Sequence, residues 1–510
     1  MKKLTCALIC ALLILPLALS GCHGNGEPPA SEAPASSSGK SETETSDSSK
    51  PVDEDKYRDE NGKYVAFHLP EFKEEWKSYE EFRVLVYDEI GQTTYFSEEI
   101  ESREALAERT DQYIIEGVNT RNNWINDTYG IKIKAVAVKD LVSEFRSQAS
   151  SGTDTFDVAM PFMAACGVFA QEGSLYDLRD FSEYIDLDAP WWDNNATSSL
   201  SIGNKVYFTT GDLSIMQKIV SGGLVFNKKL MTENNPGINM YDLVREGEWT
   251  LDVFYEMAKK FTRQGNEDQK MDENDYWGCM GGDVGLYYAA GETLCSKNAE
   301  DIPQISIGVE ERSINVAQKV LEMLGEKGTW YVTVNDFTDK TDMWDTTVKI
   351  FGTGQSLFMA IAFSAIKKFR PYEVNYGVVP PPKFDTDQDG YFSRCTANMA
   401  YGICIPLQTT DPEFCAYMIE LLAVGGKNHI SNAYYTSVLK GKDMATEDDE
   451  DMLDIIFNNI IYDTALVYSF GGLSNIFNTA NKDTFISTLD GMKDSVELAI
   501  QEVVDAYAAY

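Results

Sequence analysis

The chain has 510 residues, enough for two or three domains at about 100–200 residues each. It carries 43 Lys and Arg against 81 Asp and Glu, a formal net charge of −38, which excludes a general duplex-binding surface and a polybasic membrane-surface role. With 43% apolar and 12% aromatic residues it buries a sizeable core, so wholesale disorder is excluded as well.

Lys2 and Lys3 precede an apolar run from Leu4 to Leu19, followed by Ser20, Gly21 and Cys22. A charged start, an apolar stretch and small residues at its end make a signal peptide over residues 1–21. The run is broken by Pro16 and is short of the roughly 20 residues a spanning helix needs. Leu19-Ser20-Gly21-Cys22 resembles a bacterial lipobox, which implies lipidation of Cys22 and a place on the extracellular face of the cell membrane. An ordinary secretory signal that happens to contain a cysteine is the alternative. The chain from His23 to about Val52 is nearly all Ser, Glu, Pro, Thr, Gly and Asp, too polar to offset the entropy of ordering. Residues 22–55 are therefore read as the lipidated cysteine and a disordered tether. Of nine cysteines, Cys6 and Cys10 leave with the signal. Cys166, Cys279, Cys295, Cys395, Cys404 and Cys415 lack paired spacing and lie in apolar surroundings, so they read as small core residues rather than zinc ligands.

In the globular part, Phe82 to Tyr87 is a short apolar run and reads as a buried strand. Ile114, Val118, Ile125 and Tyr129 mark a helix that Gly130 ends. Ile131 to Val138 is a second strand, Asp140 to Ala149 a helix, and Phe156 to Pro161 a third strand stopped by proline. Strand, helix, strand, helix, strand at this spacing predicts a parallel α/β sheet. Ligands of such sheets gather outside the carboxyl ends of the strands, which places Tyr87, Asp88, Phe162 and Met163 at a candidate cleft. Val206–Phe208 and Leu224–Asn227 read as two further strands. Thr250 is a plausible N-cap for a helix that buries Phe254, Met257, Ala258 and Phe261. Further amphipathic helices carry Val316, Val320 and Leu324; Leu453, Ile456 and Phe457; and Val496, Ile500, Val503 and Tyr507.

The order of several segments resembles the family 1 extracellular solute-binding proteins of ABC importers, the group containing maltose-binding protein. The matching pieces are Tyr129–Ile133, Phe156–Ala159 followed by Gly173–Leu178, Gly203–Tyr207, Leu224–Leu230, Glu246–Thr250, Phe351–Phe358 and Tyr376–Pro382. The resemblance implies a two-lobed α/β fold of the type II periplasmic-binding-protein kind, with ligand held between the lobes. Carried over, lobe one takes residues 78–210 plus 357–395, and lobe two takes 215–350 plus 400–510. The chain crossings then fall near Thr209–Gly211, Phe358–Phe363 and Arg394–Tyr401. The resemblance further implies a monomer that captures a solute by lobe closure and hands it to the permease subunits of the transporter.

Sugars offer apolar C–H faces and a rim of hydroxyls, so their sites want flat aromatics beside planar polar side chains. Trp191-Trp192-Asp193-Asn194-Asn195 supplies both, unless the two indoles fill the core. Asp212 adds a carboxylate near the first crossing. Trp277, Tyr288 and Trp344 are aromatics of lobe two that either stack on a sugar or lie in the core, and Arg394 at the third crossing either clamps hydroxyls or forms a salt bridge. Asp385, Asp387 and Asp389 open a D-x-D-x-D-G sequence, the start of a calcium loop, but Thr396 stands where the bidentate Glu belongs. The stretch therefore reads as a polar acidic turn, with a structural calcium held by these residues as its alternative; no other cofactor is expected.

Only His68 and His429 lie in the globular part. No HExxH, GxSxG, P-loop or GxGxxG pattern occurs in the sequence. The expectation is a lipid-anchored solute-binding protein for an oligosaccharide or related polar solute, without enzymatic activity. Two alternatives share its residues: a surface carbohydrate-binding or sensory lipoprotein, and a glycosidase built on paired carboxylates.

Overall fold

The computed structural model of the protein describes residues 53–88, 96–104, 110–267, 271–281, 285–337, 342–439 and 446–510. The signal segment, Cys22 and most of the tether lie outside the described residues. Strand β1 (Glu81–Tyr87) buries Val84, Leu85 and Val86 completely. It pairs in parallel with β2 (Lys132–Val138) on one side and with β3 (Val158–Ala159) on the other. Strands covered on both faces read as continuous apolar runs, which is why β1 was legible. The Gln112–Tyr129 helix returns the chain from β1 to β2, capped by the Asp111 side chain and ended by Gly130 at φ 77°. The Leu141–Ser151 helix makes the next return. This three-stranded sheet is extended by single bridges from Cys404 to Ala159, Tyr401 to Phe162 and Thr209 to Ile403. It forms lobe one.

Lobe two is built on five strands in the order β10-β4-β9-β5-β8. They are β4 (Gly222–Asn227), β5 (Trp277–Met280), β8 (Tyr331–Val332), β9 (Ser356–Ala362) and β10 (Tyr376–Val379). A small antiparallel pair, β6 (Cys295–Lys297) and β7 (Pro303–Ile305), stands apart. The Leu251–Phe261 helix packs on this sheet through Phe254, Met257, Ala258 and Phe261, with Thr250 as its cap. All six described cysteines are free and buried.

Sheet pairing corrects the lobe boundaries read from the sequence. Residues 357–395 do not join lobe one, because β9 lies inside the second sheet, hydrogen-bonded to β4 and to β5. Conversely, 401–406 bridges to β3 and Thr209, and the Pro412–Gly426 helix packs on the Gln112–Tyr129 helix of lobe one. Phe358–Phe363 is therefore no crossing. Among the described residues the chain passes between the sheets from Thr209 to Gly222 and from Arg394 to Tyr401; it then packs on lobe one through the Asn432–Leu439 helix, on β10 at the Glu447–Asn458 helix, and on lobe one again after Ile461. These passages bind one another: Ser221 bridges to Cys395, and β11 (Ser393–Arg394) pairs in parallel with β12 (Ile460–Ile461). The strand predicted at Val206–Phe208 does not form. Val206 gives its N–H to the Asp177 carboxylate and its carbonyl to the Leu178 N–H, which leaves nothing for a ladder.

Residues 53–79, ahead of β1, form a strap on lobe one. Trp76 is fully buried against Phe414, Tyr417 and Tyr184, and its indole N–H donates to Asp411. Tyr57 meets Trp191 edge-on at 5.2 Å, and Tyr64 exchanges two backbone hydrogen bonds with the Asn428 side chain.

Helix and sheet touch most closely at Gly278 of β5, where a Cβ would stand 2.1 Å from the Ala258 carbonyl oxygen. Backbone cannot rotate away as a side chain would, and overpacking of this kind costs about 1–3 kcal/mol. Gly278→Ala is expected to lower the melting temperature in calorimetry. An unchanged melt would show slack between helix and sheet.

Candidate functional site

The carboxyl ends of β1 and β3 bring three rings together. Tyr87 and Phe162 stack with centroids 4.4 Å apart, and Tyr401 joins them at 5.4 Å from Phe162 and 5.9 Å from Tyr87. Their planes lie within about 27° of one another, so the stack is nearly flat. Phe162 is the partly exposed ring, and the other two support it. Asp88, directly after β1, accepts from Arg103 at 3.0 Å, and Arg103 also donates to the Ser97 carbonyl. Tyr401 is fully buried, and its hydroxyl has no hydrogen-bond partner among the described residues. One oxygen of Glu98 is in the same condition. Glu99 is buried beside them, and burial pushes its carboxyl up, although Ser97 and Ser214 hydroxyls and the Glu98 N–H bond to it.

From lobe two, the Arg394 guanidinium lies 5.8 Å from the centre of the Tyr288 ring, a cation–π contact. Gly285 sits against it at φ 62°, where a Cβ would come within 3.1 Å of the Arg394 side chain. Asp463 accepts from the Leu294 and Ala465 N–H groups, and burial pushes its carboxyl up to about 6. The lobes also touch through charges that follow the strand ends. Lys367, after β9, pairs with Glu98 at 3.3 Å, and Arg370 pairs with Asp111 at 2.9 Å.

The tandem tryptophans stand elsewhere. Trp191 is fully buried and Trp192 nearly so, and both indole N–H groups donate at 2.8 Å to the two oxygens of Glu420. Burial pushes the Glu420 carboxyl up to about 8, against the pull of the two indoles. Trp191, Trp192 and Asp212 line a groove of about 1260 Å³ beside the crossings, and the strand-end stack is not among its walls. The sequence-predicted residues thus fall into separate groups: Tyr87, Asp88 and Phe162 at the strand ends, Tyr288 with Arg394 on lobe two, and Trp191, Trp192 and Asp212 along the groove.

Trp277 belongs to none of them. It opens β5 opposite Ser356, at the amino end of the parallel strands, is buried, and spends its N–H on the Asp272 carbonyl. The expectation that it faces a ligand is corrected by that position, since ligands meet the opposite end. Trp344 is 48% exposed near the start of the Met343–Gly352 helix that leads into β9. Asp385 gives one oxygen to the Asp387 and Gln388 N–H groups and the other to Arg312, while Asp387 and Asp389 are exposed. The loop is thus organised as an Asx turn, and no cluster of three metal-ligating side chains occurs among the described residues. Tyr401, Glu98 and Glu420 were not singled out in the sequence. Glu420 lies 229 positions from Trp191, and only folding brings the two together.

Residues 107–419 match the profile of the bacterial extracellular solute-binding proteins, and the chain belongs to that family. No curated protein matches it. Among solved structures it is similar to a cyclo/maltodextrin-binding protein complexed with maltotetraose, at 14% identity, covering 85% of this chain and 97% of that one, with a TM-score of 0.50. It is similar also to UgpB from Mycobacterium tuberculosis in complex with glycerophosphocholine, at 12% identity, 84% and 98% coverage and a TM-score of 0.50. At such identities the likeness concerns the fold, the two-lobed architecture of solute-binding proteins.

Glu420 sets a pH dependence whose sign follows from its raised carboxyl. Between the ordinary value of 4.5 and about 8 the folded state holds a proton that the unfolded state has lost. The Glu420 contribution is therefore fully present below about 4.5 and declines as pH rises towards 8. Glu420→Gln is expected to flatten that part of the stability-versus-pH curve. It should also lower stability at pH 5, because an amide has one acceptor for two indole donors. An unaltered slope in denaturant titrations would remove Glu420 as its source.

Proposed function

We propose that the protein is a lipid-anchored receptor of an ABC importer that captures an oligosaccharide or related polar solute by closure of its lobes and delivers it to the permease. The single observation that carries the solute class is the flat stack of Tyr87, Phe162 and Tyr401 at the strand ends. A stacked aromatic face beside Asp88 and Arg103 suits the C–H face and hydroxyl rim of a sugar ring. In this reading Arg394, held over the Tyr288 ring, is the lobe-two group to be tested for contact with the solute, and Trp344 is an exposed ring to be tested with longer glycans. The neighbours' maltotetraose and glycerophosphocholine set the range of solutes to try first. Closure is the message in this reading: the solute must favour the closed arrangement over the open one to shift the population. The reading includes Cys22 as the lipid anchor on the outer face of the membrane, a monomeric receptor, and binding without covalent chemistry.

The test is a thermal-shift and calorimetric screen of residues 53–510 against maltodextrins of increasing length, other glycans and glycerophosphodiesters, with and without calcium. Binding to the native state alone raises stability by about 2.7 kcal/mol at a hundredfold excess over Kd. A shift with one glycan series recovered intact is expected, and Phe162→Ala should weaken it about three- to tenfold while leaving the unliganded melt in place. Cleaved glycan would replace this reading by a glycosidase, and a calcium-dependent shift would restore the Asp385 loop as a metal site.

A further inference from the structure

The β6–β7 hairpin leaves the chain of lobe two and ends on lobe one. Its base stays with the Glu311–Gly325 helix, where the Gly308 N–H donates to the Ser313 hydroxyl at 2.8 Å. That helix belongs to lobe two, since its Lys319 pairs with Asp252 and the Trp330 indole, just ahead of β8, donates to its Met323 carbonyl. The hairpin's turn is built by Asn298, whose side chain accepts from the Glu300 and Ile302 N–H groups. Asp301 completes it at φ 62°, a left-handed conformation that aspartate tolerates.

The tip is fastened to residues 198–204, which precede the first crossing. Lys297 donates to the Ser198 and Ser201 carbonyls and, at 2.8 Å, to the Ser201 hydroxyl. Asp301 accepts the Ser201 hydroxyl at 3.0 Å on one oxygen and the Asn204 N–H at 2.9 Å on the other. Its carbonyl accepts from the Gly203 N–H, and its carboxylate also pairs with Lys297. The Phe485–Ala508 helix backs the hairpin, packing on β7 and on the Met163–Gln171 helix of lobe one. Near its start Leu489 lies against Gly308, and Lys482 ahead of it pairs with Glu322 of lobe two. Near its end the Tyr507 ring meets Tyr207 of lobe one at 4.8 Å. Leu489 and Tyr507 stand about 27 Å apart at 1.5 Å per residue, so one rod touches both lobes. Its contacts are apolar and buried, whereas Ser198, Gly203 and Asn204 under the tip are exposed. Water can replace the hydrogen bonds of the tip at little net cost, so the tip is the part that lets go first.

We propose that the β6–β7 hairpin is a brace that sets the angle between the lobes, with Lys297 and Asp301 as its releasable fastening. In a receptor that works by lobe closure, the reading on which this rests, the brace limits the motion that closure needs. While the tip is fastened, lobe two is tied to lobe one at a place other than the hydrogen-bonded crossings, and rotation is restricted. Release of the tip frees the rotation while the Phe485–Ala508 helix keeps its apolar contacts.

The test is double electron–electron resonance on unliganded residues 53–510, with nitroxides at Thr128→Cys and Glu256→Cys, exposed helix positions of lobe one and lobe two. The six native cysteines of this part are buried. One narrow distance is expected for the fastened protein. Asp301→Gly removes the carboxylate and suits the left-handed backbone, and Lys297→Met removes the ammonium. Each should raise the population of a second distance about tenfold, as loss of one or two polar contacts allows. Glu300→Gln, exposed on the same turn, should change nothing. In the unaltered protein the Asn204 N–H should exchange with solvent about tenfold more slowly than in Asp301→Gly. None of these measurements uses a solute, so a failure of the glycan reading leaves them standing. Where a glycan does bind, its affinity should change in the variants with the shift in population. An unchanged distance distribution in both folded variants would overturn the brace, and so would an Asn204 N–H that exchanges at the free-chain rate in the unaltered protein. Should a variant lose its cooperative melt, the other variant and the Asn204 exchange decide.

Discussion

Parallel strands cannot be joined by a tight turn, and that constraint shapes the first sheet throughout and the second except at β4, which runs antiparallel to β9 and β10. Each strand of the first sheet is followed by a helix that carries the chain back, so loops and helix starts collect at one edge of it. Two such sheets in one chain then have to be connected, and the chain passes between them more than once. Ser221 with Cys395, and β11 with β12, hydrogen-bond those passages into one ribbon. A ribbon of few residues can absorb rotation while the sheets stay rigid. The ion pairs Glu98–Lys367 and Asp111–Arg370 join the two lobes outside that ribbon.

Buried polar groups show where the fold accepts a cost. Glu420 is fully enclosed, and two indole donors partly repay its loss of water. Arg121 is fully buried as well, donating to the Glu99 and Ile100 carbonyls, and burial pushes its guanidinium down to about 9. Removing one partner from such arrangements is more damaging than replacing both, because the other is left uncompensated. These groups fasten segments that are remote in sequence: the tandem tryptophans to the Pro412–Gly426 helix, and the chain after β1 to the helix that follows it.

What the sequence made legible was whatever repeats locally. The 3.6-residue spacing of Ile114, Val118 and Ile125, the cap at Thr250 and the apolar run of β1 each depend on near neighbours, and each lies where the pattern placed it. Strand partners are a different matter. Nothing local in Ser356–Ala362 states that it lies between β4 and β5, so the lobes were divided wrongly there. Aromatic composition was equally ambiguous: Trp277 and Trp344 look alike in sequence, yet one is enclosed by its sheet and the other is half exposed on a helix. Tyr87 and Phe162 were placed by the strand-end rule, whereas Tyr401 reaches them only through a bridge from a distant segment.

The strap over residues 53–79 makes the two lobes mechanically unequal. Trp76, Tyr57 and Tyr64 tie it to Phe414, Trp191 and Asn428, all on lobe one or the helices packed there. A force applied where the described chain begins is thus taken up by one jaw before it reaches the hinge. In the closure proposed above, lobe one would serve as the fixed frame and lobe two as the part that swings.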